Sequence, residues 1–188
     1  MKREIIVTVV LIVLVVGLVL GMKFATGSFE NSDAKKFVLE DLHNKFPAAD
    51  KVEIVSFEPK TNGEGAQYYT IKASVSEGLG TPCPKRTNYY YNYPVQNFVP
   101  APPEAVVDSC KVCQSRPCMI AFPEEAIIAS HTLQGSASVQ DYILTARDAT
   151  PQVNRTSSGW SVLWNSTLNY SYMVSVTDDG YVSGAEKI

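Results

Sequence analysis

The chain has 188 residues, of which 45% are hydrophobic and 19% are charged, and its formal net charge is −3. This length is too short for two full-sized domains but sufficient for one domain with a hydrophobic core. Ten tyrosines, seven phenylalanines and two tryptophans exclude a disordered low-complexity chain. The excess of Asp and Glu (19) over Lys and Arg (16) excludes a basic nucleic-acid binder.

An apolar run from Ile5 to Met22 dominates the amino-terminal segment. As a helix rising about 1.5 Å per residue, it would span roughly 27 Å, close to the thickness of a bilayer's hydrocarbon layer. Lys2 and Arg3 precede the run and only Lys23 follows it, so the positive-inside rule keeps the amino end inside and exports the remainder.

The sequence therefore predicts a transmembrane anchor or signal segment over residues 1–27. It predicts a cell-membrane localisation, with one span through residues 5–22 and the rest of the chain extracytoplasmic. Two alternatives stay open for this segment. One is a cleaved signal peptide, for which the small residues of 25–27 would suit a peptidase, and the other is an ordinary buried helix.

Residues 28–188 are predicted to form one exported α+β domain, in which helices pack on antiparallel sheet. A first helix–strand unit covers residues 33–77, and a second covers residues 123–188. Between them, residues 78–122 are predicted to be an irregular insertion rich in Pro and Cys.

In the first unit, a helix is predicted up to Pro47, because its apolar residues follow three- and four-residue spacing. These apolar residues are Ala34, Phe37, Val38, Leu42 and Phe46. A strand at 51–58, a turn at 59–65 and an alternating strand at 67–77 then predict a half-solvated antiparallel hairpin.

The region 78–123 contains eight of the eleven prolines and all four cysteines. The proline spacing excludes a long helix and leaves room for one short strand at 86–93. This strand contains the tyrosine run Tyr89, Tyr90, Tyr91 and Tyr93, which is predicted either to form a binding surface or to pack on alternate faces of an edge strand.

The cysteines Cys83, Cys110, Cys113 and Cys118 are predicted to form two disulfides, since an even number in an oxidising compartment favours cross-links. The favoured pairing joins Cys83 to Cys110 and Cys113 to Cys118. Alternatives are a bond within Cys110–Cys113, four thiolates on zinc or iron, and a redox dithiol. No metal or other cofactor is predicted.

In the second unit, a short helix is predicted at 123–132, and strands at 139–147, 160–164, 170–177 and 181–183. The two units are predicted to be loose copies of one helix-then-strands pattern.

The second unit resembles PepSY-type, cystatin-like domains. The resemblance rests on its short helix, on the tryptophan-bearing strand Gly159–Val162, and on the pattern Tyr-x-Val-x-Val-x-x-Asp-Gly over Tyr172–Gly180. It implies an α+β fold with binding or inhibitory roles outside a membrane, and no catalytic residues.

Three sequons predict glycosylation acceptors at Asn154, Asn165 and Asn169. The two histidines, His43 and His131, fall in no catalytic motif and are predicted to lie at the surface of one helix and at the carboxyl end of another. Glu124 and Glu125 could be paired carboxylates, but acidic residues are also favoured in the first turn of any helix.

Together these features predict a protein that is not an enzyme. The expected role is non-enzymatic binding or assembly at the cell surface, with a protein or glycan partner and no nucleic acid. The alternative is a metal-binding or thiol-redox module that uses the four cysteines.

Overall fold

The computed structural model describes residues 32–115 and 117–188. In this part the chain has an α+β fold with three helices and two four-stranded antiparallel sheets. Each sheet is an antiparallel meander in which every strand pairs with the next one along the chain.

The first unit begins with helix α1 at residues 32–45. The first sheet follows in the order β1 (Lys51–Thr61), β2 (Gln67–Glu77), β3 (Lys85–Tyr93) and β4 (Glu104–Val107). Helix α1 covers one face of this sheet. We call the opposite face, which carries Lys72, Tyr90 and Asn92, the open face.

The core of the first unit lies between α1 and β2. Ala34, Val38 and Leu42 of α1 are fully buried in one cluster with Ile71 and Ala73 of β2. Because these residues recur every fourth position on α1 and every second position on β2, each element presents one apolar face. Each fully buried large aliphatic side chain contributes roughly 1.5–3 kcal/mol to folding.

The second unit consists of α2 (Pro123–Thr132), α3 (Ala137–Thr145), β5 (Thr150–Thr156), β6 (Gly159–Asn165), β7 (Tyr172–Thr177) and β8 (Val182–Lys187). Its core contains Trp164, which is completely buried and donates its indole N–H to Ser130 Oγ of α2 at 2.9 Å. Trp160 donates its indole N–H to the carbonyl of Ile120 at 3.1 Å, which fastens the end of the Pro/Cys-rich segment to β6.

The Pro/Cys-rich segment was predicted to be an irregular insertion with one short strand at 86–93. The strand is confirmed as β3, but the description as an irregular insertion is corrected by the structure. The segment contains β3 and β4, which are half of the first sheet. Its prolines fall before, between and after these two strands, where no ladder hydrogen bond is lost.

The strand predicted at 139–147 was also wrong, because α3 occupies most of it. Val139, Tyr142 and Ala146 are buried, and their spacing of three and four places them on one side of a helix. Strands β4 and β5 were not predicted either; β4 has only four residues and follows Pro103, and β5 contains Pro151.

No helix within residues 32–115 and 117–188 is long and apolar enough to cross a membrane. The longest, α1, extends about 21 Å and carries charged residues on its exposed side. The α+β part of the predicted fold class agrees with the structure. Its N-terminal transmembrane helix and the predicted single-pass membrane localisation are corrected, because no described helix supports them. The predicted span at 5–22 lies outside the described residues.

Candidate functional site

The structure separates the four tyrosines that were predicted to form one binding surface. Tyr89, Tyr91 and Tyr93 pack on the α1 side of the first sheet, whereas Tyr90 lies on the open face. The Tyr91 hydroxyl donates to the Asp41 carboxylate at 2.7 Å, and burial raises the pKa of Tyr91 above its ordinary value. The run alternates between faces, but on the inner strand β3 rather than on an edge strand.

On the open face, Tyr90 is the centre of a small polar network. Its hydroxyl donates to Glu104 at 2.6 Å, and its ring lies 5.5 Å from the Lys72 ammonium, opposite it on β2. Lys72 also approaches Glu104 at 3.5 Å. The hydrogen bond from Tyr90 lowers the pKa of Glu104, and the contact with Tyr90 raises the pKa of Lys72. Both charges are therefore retained at neutral pH.

A cleft of about 340 Å³ lies beside this network, between the open face and the loop that joins β3 to β4. We call this cleft the open-face groove; Lys72, Tyr90, Asn92, Phe98, Val99 and Pro100 line it.

The loop side of the groove is apolar and exposed. Val99 is 90% exposed and Phe98 is 48% exposed, and nearby Val95 is 81% exposed. The Phe98 ring stands edge-on to the Tyr68 ring at 5.6 Å, which orients it. Three large apolar side chains within five residues thus face solvent. They lie next to a floor that contains the Tyr90 ring and the Lys72 ammonium.

All four cysteines are in disulfides. Cys83 is bonded to Cys110, with Cα atoms 4.9 Å apart, and Cys113 to Cys118, with Cα atoms 5.1 Å apart. This is the pairing that the sequence favoured. In this state the sulfurs are not four thiolates that could ligate zinc or iron.

The Cys83–Cys110 disulfide lies next to His131, a contact that was not predicted. The Cys110 Sγ is 3.6 Å from His131 Nε2, and both sulfurs and this nitrogen lie within 4.8 Å of one another. The histidine is in the last turn of α2, as predicted, and it is buried. The other histidine, His43, is exposed on α1.

A buried ion pair joins the two units. Arg86 of β3 and Glu124 of α2 are 2% and 0% exposed, and their charged groups are 3.6 Å apart. Arg86 also donates to Glu53 of β1 at 2.9 Å, and its guanidinium lies 4.1 Å from the centre of the Phe122 ring. Neither carboxylate oxygen of Glu124 has a hydrogen-bond partner, so Arg86 is its compensating charge.

The two adjacent carboxylates at the start of α2 have separate roles. Glu125 accepts the backbone N–H groups of Ala121 and Phe122, at 2.7 and 3.0 Å, and so caps the helix. Glu124 points instead to the arginine of the first sheet. The structure therefore does not bring them together as a pair.

The three sequon asparagines lie on the second unit. Asn154 of β5 and Asn169 of the β6–β7 loop are exposed. Asn165 is half-buried at the end of β6, where its side-chain oxygen accepts the Ser171 hydroxyl at 2.8 Å. Of the three, Asn154 and Asn169 are the sterically open acceptors. Glycosylation of these residues stays a prediction.

Comparisons with models of protein families, with curated proteins and with solved structures found no match to this chain. The resemblance of its second unit to PepSY-type, cystatin-like domains stays a prediction.

Two groups of residues escaped the sequence reasoning. Phe98 and Val99 lie between prolines in a loop. Large apolar residues in such a loop indicate an exposed apolar surface, and this signal was present in the sequence. The approach of His131 to Cys110 had no local signal, because it depends on how α2 packs against the Pro/Cys-rich segment.

Proposed function

We propose that the protein is a non-enzymatic binding module whose open-face groove receives an apolar segment of a protein partner. The observation that supports this proposal is the exposure of Phe98 and Val99 beside a concave cavity. Large apolar side chains that are clustered and exposed next to a cleft are typical of interaction sites.

The floor of the groove suits a protein ligand in particular. Tyr90 offers a ring face for side-chain packing, and the Lys72 and Glu104 charges beside it can each pair with a backbone or side-chain group of the partner. The loop from Val95 to Pro103 is not part of a strand ladder, so its backbone groups can bond to an extended segment.

The two disulfides agree with work in an oxidising compartment, where cross-links of this kind persist. They also hold the Pro/Cys-rich segment, and with it the loop of the groove, by closing chain loops of 27 and 5 residues. A fixed loop loses less conformational entropy when a partner binds.

The test is site-specific photocrosslinking in the native host, with a benzoylphenylalanine at Val99. The matched control is the same amino acid at Leu144 of α3, which is 72% exposed on the second unit. We expect one discrete protein adduct from position 99 and none of the same mass from position 144. Phe98→Ser should weaken that adduct severalfold, while Leu144→Ser should not. Equal crosslinking from both positions would refute the proposal.

A second readout needs no partner. The probe 1-anilinonaphthalene-8-sulfonate should bind the folded protein with increased fluorescence. The double variant Phe98→Ser/Val99→Ser should lose most of that signal, while Leu144→Ser should retain it. Fluorescence that is unchanged in the double variant would show that the groove does not accept apolar groups.

A further inference from the structure

The two disulfides differ in how their sulfurs are surrounded. In the Cys83–Cys110 bond, Cys83 is exposed and Cys110 is half-buried against His131. In the Cys113–Cys118 bond, both cysteines are half-buried, and the turn residue Gly180 lies against both sulfurs. Of the two, only the first disulfide thus combines an exposed cysteine with a neighbouring histidine.

The tautomer of His131 follows from its contacts. Its Nδ1 is 3.0 Å from the carbonyl oxygen of Ile127, and a carbonyl can only accept, so Nδ1 carries the proton. The lone pair of Nε2 therefore faces the Cys110 sulfur. Burial lowers the pKa of His131, which keeps this lone pair unprotonated at neutral pH.

The ring is also held in place. The edge-on Trp164 ring has its centre 5.5 Å from that of His131, and Trp164 is itself fixed by its bond to Ser130. A buried base with a fixed orientation is thus aimed at one sulfur of an S–S bond, and that sulfur is the less accessible one.

We propose that Cys83–Cys110 is a thiol–disulfide exchange site, in which Cys83 is the sulfur attacked and Cys110 is the leaving sulfur. The co-reactant is a dithiol, either a small molecule or a protein with two neighbouring cysteines. Its thiolate attacks Cys83 Sγ and forms a mixed disulfide, and the electron pair of the broken S–S bond stays on Cys110.

The proton lost by the attacking thiol is returned to the Cys110–His131 pair, where sulfur and Nε2 share it. The second thiol of the co-reactant then attacks the mixed disulfide. It releases Cys83 as a thiol and oxidises the co-reactant to its own disulfide, so two electrons and two protons are transferred in total. His131 acts as a positioning residue that stabilises the leaving sulfur.

The first experiment uses the unmodified protein and a limiting amount of dithiothreitol. Samples are quenched with iodoacetamide at successive times, and each alkylated cysteine is located by peptide mass spectrometry. We expect Cys83 and Cys110 to be labelled at least about tenfold faster than Cys113 and Cys118. Equal rates for the two disulfides would overturn the proposal.

The second experiment identifies the attacked sulfur. The protein is incubated with glutathione, quenched with acid and mapped for the glutathione adduct. The adduct is expected on Cys83, and an adduct mainly on Cys110 would contradict the assigned direction. This result depends on no variant and therefore on no change in folding.

The third experiment tests the histidine by comparing His131→Gln with the control His43→Gln. The first should slow reduction of Cys83–Cys110 about tenfold and remove the change in its rate below about pH 6.5, where the native imidazole becomes protonated, while the control should leave both unchanged. An unaltered rate and pH profile in His131→Gln would remove the histidine from the mechanism. If the protein purified without reductant contained one Zn²⁺ and two free thiols, the exchange site would be refuted and a metal site would take its place.

Discussion

The buried ion pair between Arg86 and Glu124 gives the sharpest prediction about stability. The change Arg86→Met keeps most of the volume of the side chain and removes its charge. It leaves Glu124 with 0% exposure, without a hydrogen-bond partner and without its cation. Removing one member of a buried pair leaves an uncompensated charge, so we expect the variant to be markedly less stable.

The size of this loss follows from the geometry. Two unit charges 3.6 Å apart attract by about 4–5 kcal/mol at an effective dielectric constant of about 20. Measured costs of breaking one side of a buried pair are about 3–5 kcal/mol. For a chain of this size, each 1 kcal/mol lowers the melting temperature by about 2–4 °C. We therefore expect Arg86→Met to melt roughly 10 °C or more below the native protein.

The assay is urea unfolding followed by tryptophan fluorescence, since Trp160 and Trp164 lie in the core of the second unit. The double variant Arg86→Met/Glu124→Leu removes both charges and should recover about 2–4 kcal/mol of the loss. The control is Lys36→Met, which breaks an exposed ion pair on α1. Its change in unfolding free energy should be much smaller than that of Arg86→Met. A double variant no more stable than Arg86→Met would refute the reasoning, because the cost would not come from the orphaned charge.

Three further predictions concern single side chains. Burial lowers the pKa of His131, so as pH falls through about 6.5 the unfolded chain binds a proton that the folded chain does not, and the unfolding free energy should decrease from about pH 7.5 to 5.5. In urea titrations, this free energy should depend less on pH in His131→Gln than in the native protein. The same flattening in His43→Gln would contradict this prediction. Gly180→Ala places a methyl group 2.5 Å from a disulfide sulfur at a φ of +75°, and it should lower the unfolding free energy by about 1–3 kcal/mol. The control Gly63→Ala meets nothing within 4 Å and should leave the melting temperature unchanged. Equal effects of the two variants would be inconsistent with close packing at Gly180. Tyr91→Phe removes a hydrogen bond to a carboxylate of α1 and should cost about 1 kcal/mol in urea unfolding, and an unaltered midpoint would count against that bond.

The strands of both sheets were the most predictable part of the fold. Residues 67–77 and 172–177 alternate between apolar and polar side chains, and the structure has β2 and β7 there. This pattern is local, since the alternation places the apolar residues of each strand on the core side. The burial of Ser74 and Ser76 on the other face of β2 was not predicted. Each half of the described chain has its own four-stranded sheet; that the two halves are copies of one pattern stays a prediction.

The error at α3 has a physical cause. Val139, Tyr142 and Ala146 are apolar, but the segment also contains β-branched and aromatic residues that favour strands. A short apolar stretch does not distinguish a buried strand from a short helix by its periodicity alone. Packing of the helix against α2, and of Tyr142 against Tyr172 of β7, decides the structure there.

The candidate site was only half accessible to sequence reasoning. Two disulfides could be anticipated from the even number of cysteines in a short stretch, and the pairing that the sequence favoured agrees with the structure. The neighbour of Cys110, by contrast, is 21 residues away along the chain, and the partner of Arg86 is on another element. Such contacts are set by the docking of the two units, which no local pattern encodes.

The ion pair between β3 and α2 also limits how the chain can be divided. A fragment that ends before Pro123 would contain Arg86, almost wholly removed from solvent in the intact protein, without the α2 carboxylate it faces. A fragment that starts at Pro123 would contain that carboxylate alone. The halves look like separable modules, yet Glu124 has its compensating charge in the first half whereas Arg86 retains Glu53, so we expect the second half to be the one that does not fold alone.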